Sequence, residues 1–138
     1  MTQGTTNFPT ALDTARVNPS NMDSSEAAIL AMQAQMGVLT VYSTDGAIAV
    51  ASGTAVLTKG TAAAMTLAAP TAAQNGIRVT ITAGSDAAHV ITSTGNILDG
   101  TTGANNTVTL AAFKGSSVTL LAYNQKWLVL CAQVATIA

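Results

Sequence analysis

Charge is what this sequence has least of. Lysine, arginine, aspartate and glutamate together make up 8% of its 138 residues, against about 25% in an ordinary soluble domain. The formal net charge is −1 and no basic cluster occurs, so the electrostatic footprint of a nucleic-acid binder is missing. The composition also argues against disorder, which goes with low hydrophobicity and high charge, because 49% of the residues are hydrophobic. Cys131 is the one cysteine, so no internal disulfide can form and cysteine usage gives no sign of secretion. His89 is the one histidine, which rules out a histidine-rich metal site or a histidine pair. The start, Met1-Thr2-Gln3-Gly4-Thr5-Thr6-Asn7, has neither the basic residues nor the apolar run expected of a signal peptide. No stretch approaches the roughly 18 continuous apolar residues of a membrane-spanning helix. The expected partners therefore include no nucleic acid and no membrane.

What the chain does have is alanine, valine, leucine and threonine in short alternating runs. Its length suits one domain with a modest appendage. A chain of this size buries roughly 70% of its unfolded surface without staples. With so little charge, the outer surface must be largely threonine, serine, asparagine and alanine. Proteins near zero net charge tend to associate, so the faces are expected to be covered by copies of the chain or by a partner.

Three segments follow from the pattern. Residues 1–22 are polar and interrupted by Pro9 and Pro19. Proline fixes its own φ and pushes the preceding residue towards extended conformations, which predicts an extended arm anchored by Phe8, Pro9, Leu12 and Val17. Residues 23–37 predict a short helix. Asp23 is a good N-cap with Glu26 three residues on, and Gly37 is a natural stop. Met22, Ile29 and Met36 are seven residues apart, with Met32 between the last two. That is a narrow apolar seam, which fits packing on the chain's own β-domain or on other copies of the helix. A helix this short needs packing partners in either case.

Residues 38–138 predict an all-β domain. Strand candidates are 38–43, 47–51, 54–58, 64–68, 76–83, 88–93, 106–112, 116–123 and 126–131. Turn signals separate them: Asp45-Gly46, Ser52-Gly53, Lys59-Gly60, Asn75-Gly76, Asp99-Gly100 and Lys114-Gly115. Many short strands at this spacing, with no helix-period segment between them, predict an antiparallel β-sandwich or barrel, jelly-roll-like. The last hairpin is apolar on both faces, with Val118, Leu120 and Leu121 before Tyr123, then Trp127-Leu128-Val129-Leu130. Both faces should be covered, which makes Tyr123, Trp127 and Val129 candidates for core or intersubunit packing.

Catalytic chemistry has little to work with. Asp86 lies three residues before His89, in what reads as a loop and a strand edge rather than a metal pair. Cys131 sits in an apolar strand and reads as an inert core thiol. The other acids fall near the N-terminus (Asp13, Asp23, Glu26) or at turns (Asp45, Asp99), and no glycine run forms a phosphate loop. Exposed aromatics can stack on sugars, but the apolar neighbours of Tyr123 and Trp127 favour burial. Asn105-Asn106-Thr107 matches a glycosylation acceptor pattern and reads as a chance match. No catalytic residue, metal or cofactor is expected, and the chain is not expected to be an enzyme.

Two stretches carry a family resemblance. Asn7-Phe8-Pro9-Thr10-Ala11-Leu12-Asp13, with Glu26-Ala27-Ala28-Ile29-Leu30-Ala31-Met32-Gln33-Ala34-Gln35-Met36-Gly37-Val38, resembles the arm and helix that open many tailed-bacteriophage virion proteins. Ala11 stands where that arm usually has serine, and the helix has less charge than usual. From Leu67-Ala68-Ala69-Pro70, through Ala112-Phe113-Lys114-Gly115-Ser116-Ser117-Val118-Thr119-Leu120, to Tyr123-Asn124-Gln125-Lys126-Trp127-Leu128-Val129, the chain is similar to the β-domains of phage head-decoration (cement) and head-fibre proteins. The resemblance implies a virion structural protein on the capsid surface, a homotrimer bound to the major capsid protein. It implies the arm residues Phe8, Pro9, Leu12 and Val17 as a capsid-docking element. The alternative is a short tail or head fibre, or a baseplate protein, that binds a host-surface glycan. An enzyme such as a depolymerase is a third and weaker reading.

Overall fold

Alternation decides which face each strand buries. In Arg78-Val79-Thr80-Ile81-Thr82-Ala83, the valine, isoleucine and alanine are buried while the arginine and threonines face outwards. Ser117–Tyr123 does the same with Val118, Leu120 and Ala122 inside, because successive side chains on a strand point to opposite sides. The computed structural model describes residues 38–101 and 103–138. The arm expected at 1–22 and the helix expected at 23–37 lie outside the described residues. With them lie Phe8, Pro9, Leu12, Val17, Met22, Ile29, Met32 and Met36.

The described strands, in chain order, are β1 (Val38–Tyr42), β2 (Gly46–Ile48), β3 (Gly53–Leu57), β4 (Ala64–Leu67), β5 (Arg78–Ala83), β6 (Val90–Leu98), β7 (Asn105–Leu110), β8 (Ser117–Tyr123), β9 (Lys126–Gln133) and β10 (Ala135–Ile137). A single 3-10 turn, Ala72–Gln74, stands between β4 and β5. All ten strands form one sheet, ordered β1-β3-β5-β8-β9-β6-β4-β2, with β7 on β6 and β10 on β7.

The domain is mainly β, but the sheet is mixed and not antiparallel as expected. β1, β3 and β5 run parallel, and so do β2, β4 and β6. Among these six, strands pair two places apart in sequence. The chain lays down a strand on one wing, crosses to the other wing, and returns beside its earlier strand. A parallel pair needs a crossover, and here the strand on the opposite wing supplies it in place of a helix. β8 then adds antiparallel to β5, and β9 forms a hairpin with β8. The start of β9 pairs in parallel with β6, Ile97 opposite Trp127 and Leu98 opposite Leu128. That pairing joins the wings and curls the sheet into a half-barrel.

The core fills the space between the wings. Ala55, Leu57, Val79, Ile81, Val118 and Leu120 from one wing meet Ile48, Met65, Leu67, Ile91, Val108 and Leu110 from the other. Trp127 is fully buried, and its indole N–H donates to the Ala68 carbonyl at 2.9 Å. The side chain thus fills volume and satisfies its polar atom in the same place. The β8–β9 turn has Asn124 and Gln125 at φ of 50° and 60°, the double left-handed geometry that suits the twist of a two-residue hairpin.

Gly53, the first residue of β3, has φ of 142°. A Cβ there would run into the carbonyl oxygen of Val38, its partner on β1. The glycine therefore lets β1 lie against β3.

Candidate functional site

His89 is the one titratable side chain buried in the described core. Its Nδ1 accepts the Ala63 N–H at 3.1 Å, so the ring proton sits on Nε2 and donates to Ser85 Oγ at 3.0 Å. The Ser85 hydroxyl in turn donates to the Lys59 carbonyl. Burial pushes the imidazole's pKa below its ordinary value, and the nearby Lys59 charge adds to that. A neutral ring donating to a serine whose own proton is engaged elsewhere is arranged opposite to a general base. This pair ties the β3–β4 connection to the β5–β6 connection and does not activate the serine.

The remaining polar groups hold turns. Asp45 binds Lys59 Nζ at 2.8 Å and accepts the Ala64 N–H at 2.9 Å. These bonds, the lysine's first, lower its pKa. Asp99 accepts from the Thr101 hydroxyl at 2.7 Å and the Thr101 N–H at 3.0 Å, again lowering its pKa, the hydroxyl first. Asp86 accepts the Lys114 N–H at 3.1 Å and turns away from His89's network. Among the described residues no group of three His, Cys, Asp or Glu side chains could hold a metal ion.

The more informative surface is apolar. On β1, Val38, Leu39 and Val41 are 50%, 64% and 56% exposed. Leu39 and Val41 share the outer face of the wing with two cross-strand rows. One row is Leu39, Thr54, Thr80, Thr119 and Cys131, and the other is Val41, Val56, Thr82, Ser117 and Gln133. Neither row holds a charge. Thr80 and Thr119 bond to each other through their hydroxyls at 3.2 Å, and Thr82 Oγ1 donates to the Ser116 carbonyl at 3.3 Å. With those hydroxyls engaged inside the sheet, Thr80 and Thr82 turn their methyl groups outwards along these rows.

Two expectations about the C-terminal hairpin change. Tyr123 is 59% exposed, not buried, because it closes β8 at the turn, beyond the reach of the core. Cys131 is exposed and is not a core thiol. The β8–β9 register shifts between Thr119 and Leu120, leaving Leu130 as the extra residue. A bulge of this kind reorients the strand beyond it, and Leu130, Cys131, Ala132 and Gln133 are all exposed. Val129 is half-buried against the core and Trp127 completely buried.

The Ser85–His89 pair and the exposed β1 were both missed in the sequence. The pair lies four residues apart across a turn, where no pattern announces it. β1 did carry a signal: Val38-Leu39-Thr40-Val41-Tyr42 is apolar on both faces, like the terminal hairpin. The sequence matches no protein-family profile and no curated protein.

Proposed function

We propose that this chain is a virion structural protein, a capsid decoration (cement) protein that binds the outer surface of a phage head as a homotrimer and stabilises it. The observation that carries this reading is the outer face of the β1-β3-β5-β8-β9 wing, where the two rows from Leu39 to Cys131 and from Val41 to Gln133 hold no charge. Such a face suits permanent contact with protein and offers no convergent groups for chemistry. The arm and helix motifs named above add the resemblance to phage virion proteins. The mechanism is mechanical: each trimer bridges neighbouring copies of the major capsid protein and adds contact area against internal pressure.

The arm, through Phe8, Pro9, Leu12 and Val17, is the docking element in this reading. Burying such side chains contributes roughly 1.5–3 kcal/mol each, much of it offset by about 1–2 kcal/mol per ordered backbone residue. One arm binds weakly, and three on one trimer gain by avidity. Deleting residues 2–20 should weaken binding to undecorated heads at least about tenfold while the β-domain stays folded. Undiminished decoration by the truncated protein would move the docking surface elsewhere. Exposed Tyr123 favours a second reading, a fibre or baseplate protein that binds a host-surface glycan. Glycan binding abolished by Tyr123→Ala, with a low copy number per virion, would replace decoration with that reading.

A further inference from the structure

We propose that β10 is an exchangeable strand: it swings on Val134 and docks on β7 of a second copy of this chain as it docks on its own. The proposal is independent of the decoration reading above.

Val134 is the single residue between β9 (Lys126–Gln133) and β10 (Ala135–Ile137). Up to Gln133 the chain pairs with β8, and from Ala135 it pairs with β7. β8 and β7 are not neighbours in the sheet, so the chain changes wings within that one residue. It does so with φ of 54° at Val134. The left-handed region is uncommon for any side chain and an outlier for a β-branched one. Asn124 and Gln125 share that region, but there a two-residue hairpin requires it.

A short hinge under strain invites strand exchange. Turning Val134 to the φ of an ordinary antiparallel strand, about −140°, would straighten 126–137 into one strand. β10 would then leave its own β7. Among the described residues the chain stands clear of the core there: Leu130, Cys131, Ala132 and Gln133 are exposed, and Val134 is 60% exposed.

Everything that β10 makes on β7 can be made again between copies. Ala135, Thr136 and Ile137 stand opposite Leu110, Thr109 and Val108. Ala138 and Thr107 exchange both backbone hydrogen bonds. Ala135 and Ile137 pack against the core. In an exchanged pair these contacts re-form unchanged, and only the left-handed valine is lost. The occupant is therefore a second copy, because it carries the side chains already seated on β7, in the same register.

The test uses two variants of the full chain in a Cys131→Ser background, Thr109→Cys and Thr136→Cys. These positions face each other across β7 and β10. The two are unfolded, refolded together and treated with a short bis-maleimide linker. Mass spectrometry should find a covalent heterodimer above the level of dimer that either variant gives alone. Adding Val134→Gly to both, which is at ease at positive φ, should lower the heterodimer yield at least about fivefold. Adding Val134→Pro, which cannot take that φ, should raise it, and light scattering should then find no folded monomer. No heterodimer above the single-variant controls would overturn the exchange and leave the virion reading untouched. A yield indifferent to both substitutions, or a folded monomeric Val134→Pro protein, would overturn Val134 as the hinge.

Discussion

The two places where this sheet could have ended make an instructive contrast. At one, β9 reaches β6 and the wings are joined. At the other, β1 pairs with β3 on one side and has no strand on its other side among the described residues. Both strands are apolar on both faces. Trp127 on β9 is fully buried with its indole N–H satisfied, whereas Leu39 on β1 is mostly exposed. The difference lies in the neighbours and not in the residues. β9 has β8 on one side and β6 on the other, and the core lies over its inner face. β1 is the first of the described strands, and among the described residues only β3 pairs with it. An alternating winding closes itself only where a later strand returns, and its first strand is left for something else to cover.

The closed seam should be the more sensitive place. Trp127→Ala removes the largest buried side chain and the Ala68 hydrogen bond. It should cost about 3–5 kcal/mol, lowering the melting temperature by more than about 10 °C. A drop of only a degree or two would mean that the seam does not hold the wings together.

The open side should break locally. Gly53→Ala places a Cβ against the Val38 carbonyl at a backbone angle that side chains rarely adopt, a strain of about 1–3 kcal/mol. Hydrogen exchange should speed up at the β1 amides, while β8 and β9 keep their protection. Equal loss of protection across all three would show that β1 is cooperative with the core.

The smallest effect should be a pH dependence that sits on neither side. Burial first, and then the nearby Lys59 charge, hold the proton affinity of His89 in the fold below the ordinary value of 6.5. Below that value the unfolded chain takes up a proton first. Stability should therefore fall as pH is lowered from 6.5 and be insensitive to this group above it. Asp45, also lowered, acts in a separate window below its ordinary 3.8. Thermal melts between about pH 7.5 and 5.5 should show the decline in the wild type and lose it in His89→Gln. A decline that survives the substitution assigns the effect to another group.

Strand positions were largely legible. The period-two run in Arg78–Ala83 declares its inner face, since hydrophobic burial acts on every second residue whatever lies alongside. The turn dipeptide Ser52-Gly53 marked a real corner. The need for that glycine, a carbonyl on β1, became visible only in the fold. Tyr123 and Cys131 were misjudged for a related reason. Apolar neighbours in sequence report the character of a strand, but not where a turn or a bulge carries one residue out of the core.

The sequence by itself determined the mainly β character of residues 38–138 and a composition nearly without charge. These follow from local alternation and composition. Only the tertiary structure decided that the strands from β1 to β6 pair two places apart, that Ser85 and His89 meet, and that β1 has β3 as its one neighbour among the described residues. Period two is the same for parallel and antiparallel neighbours. Hydrogen-bond partners far apart in sequence leave no local trace, and exposure depends on what the rest of the chain places over a strand.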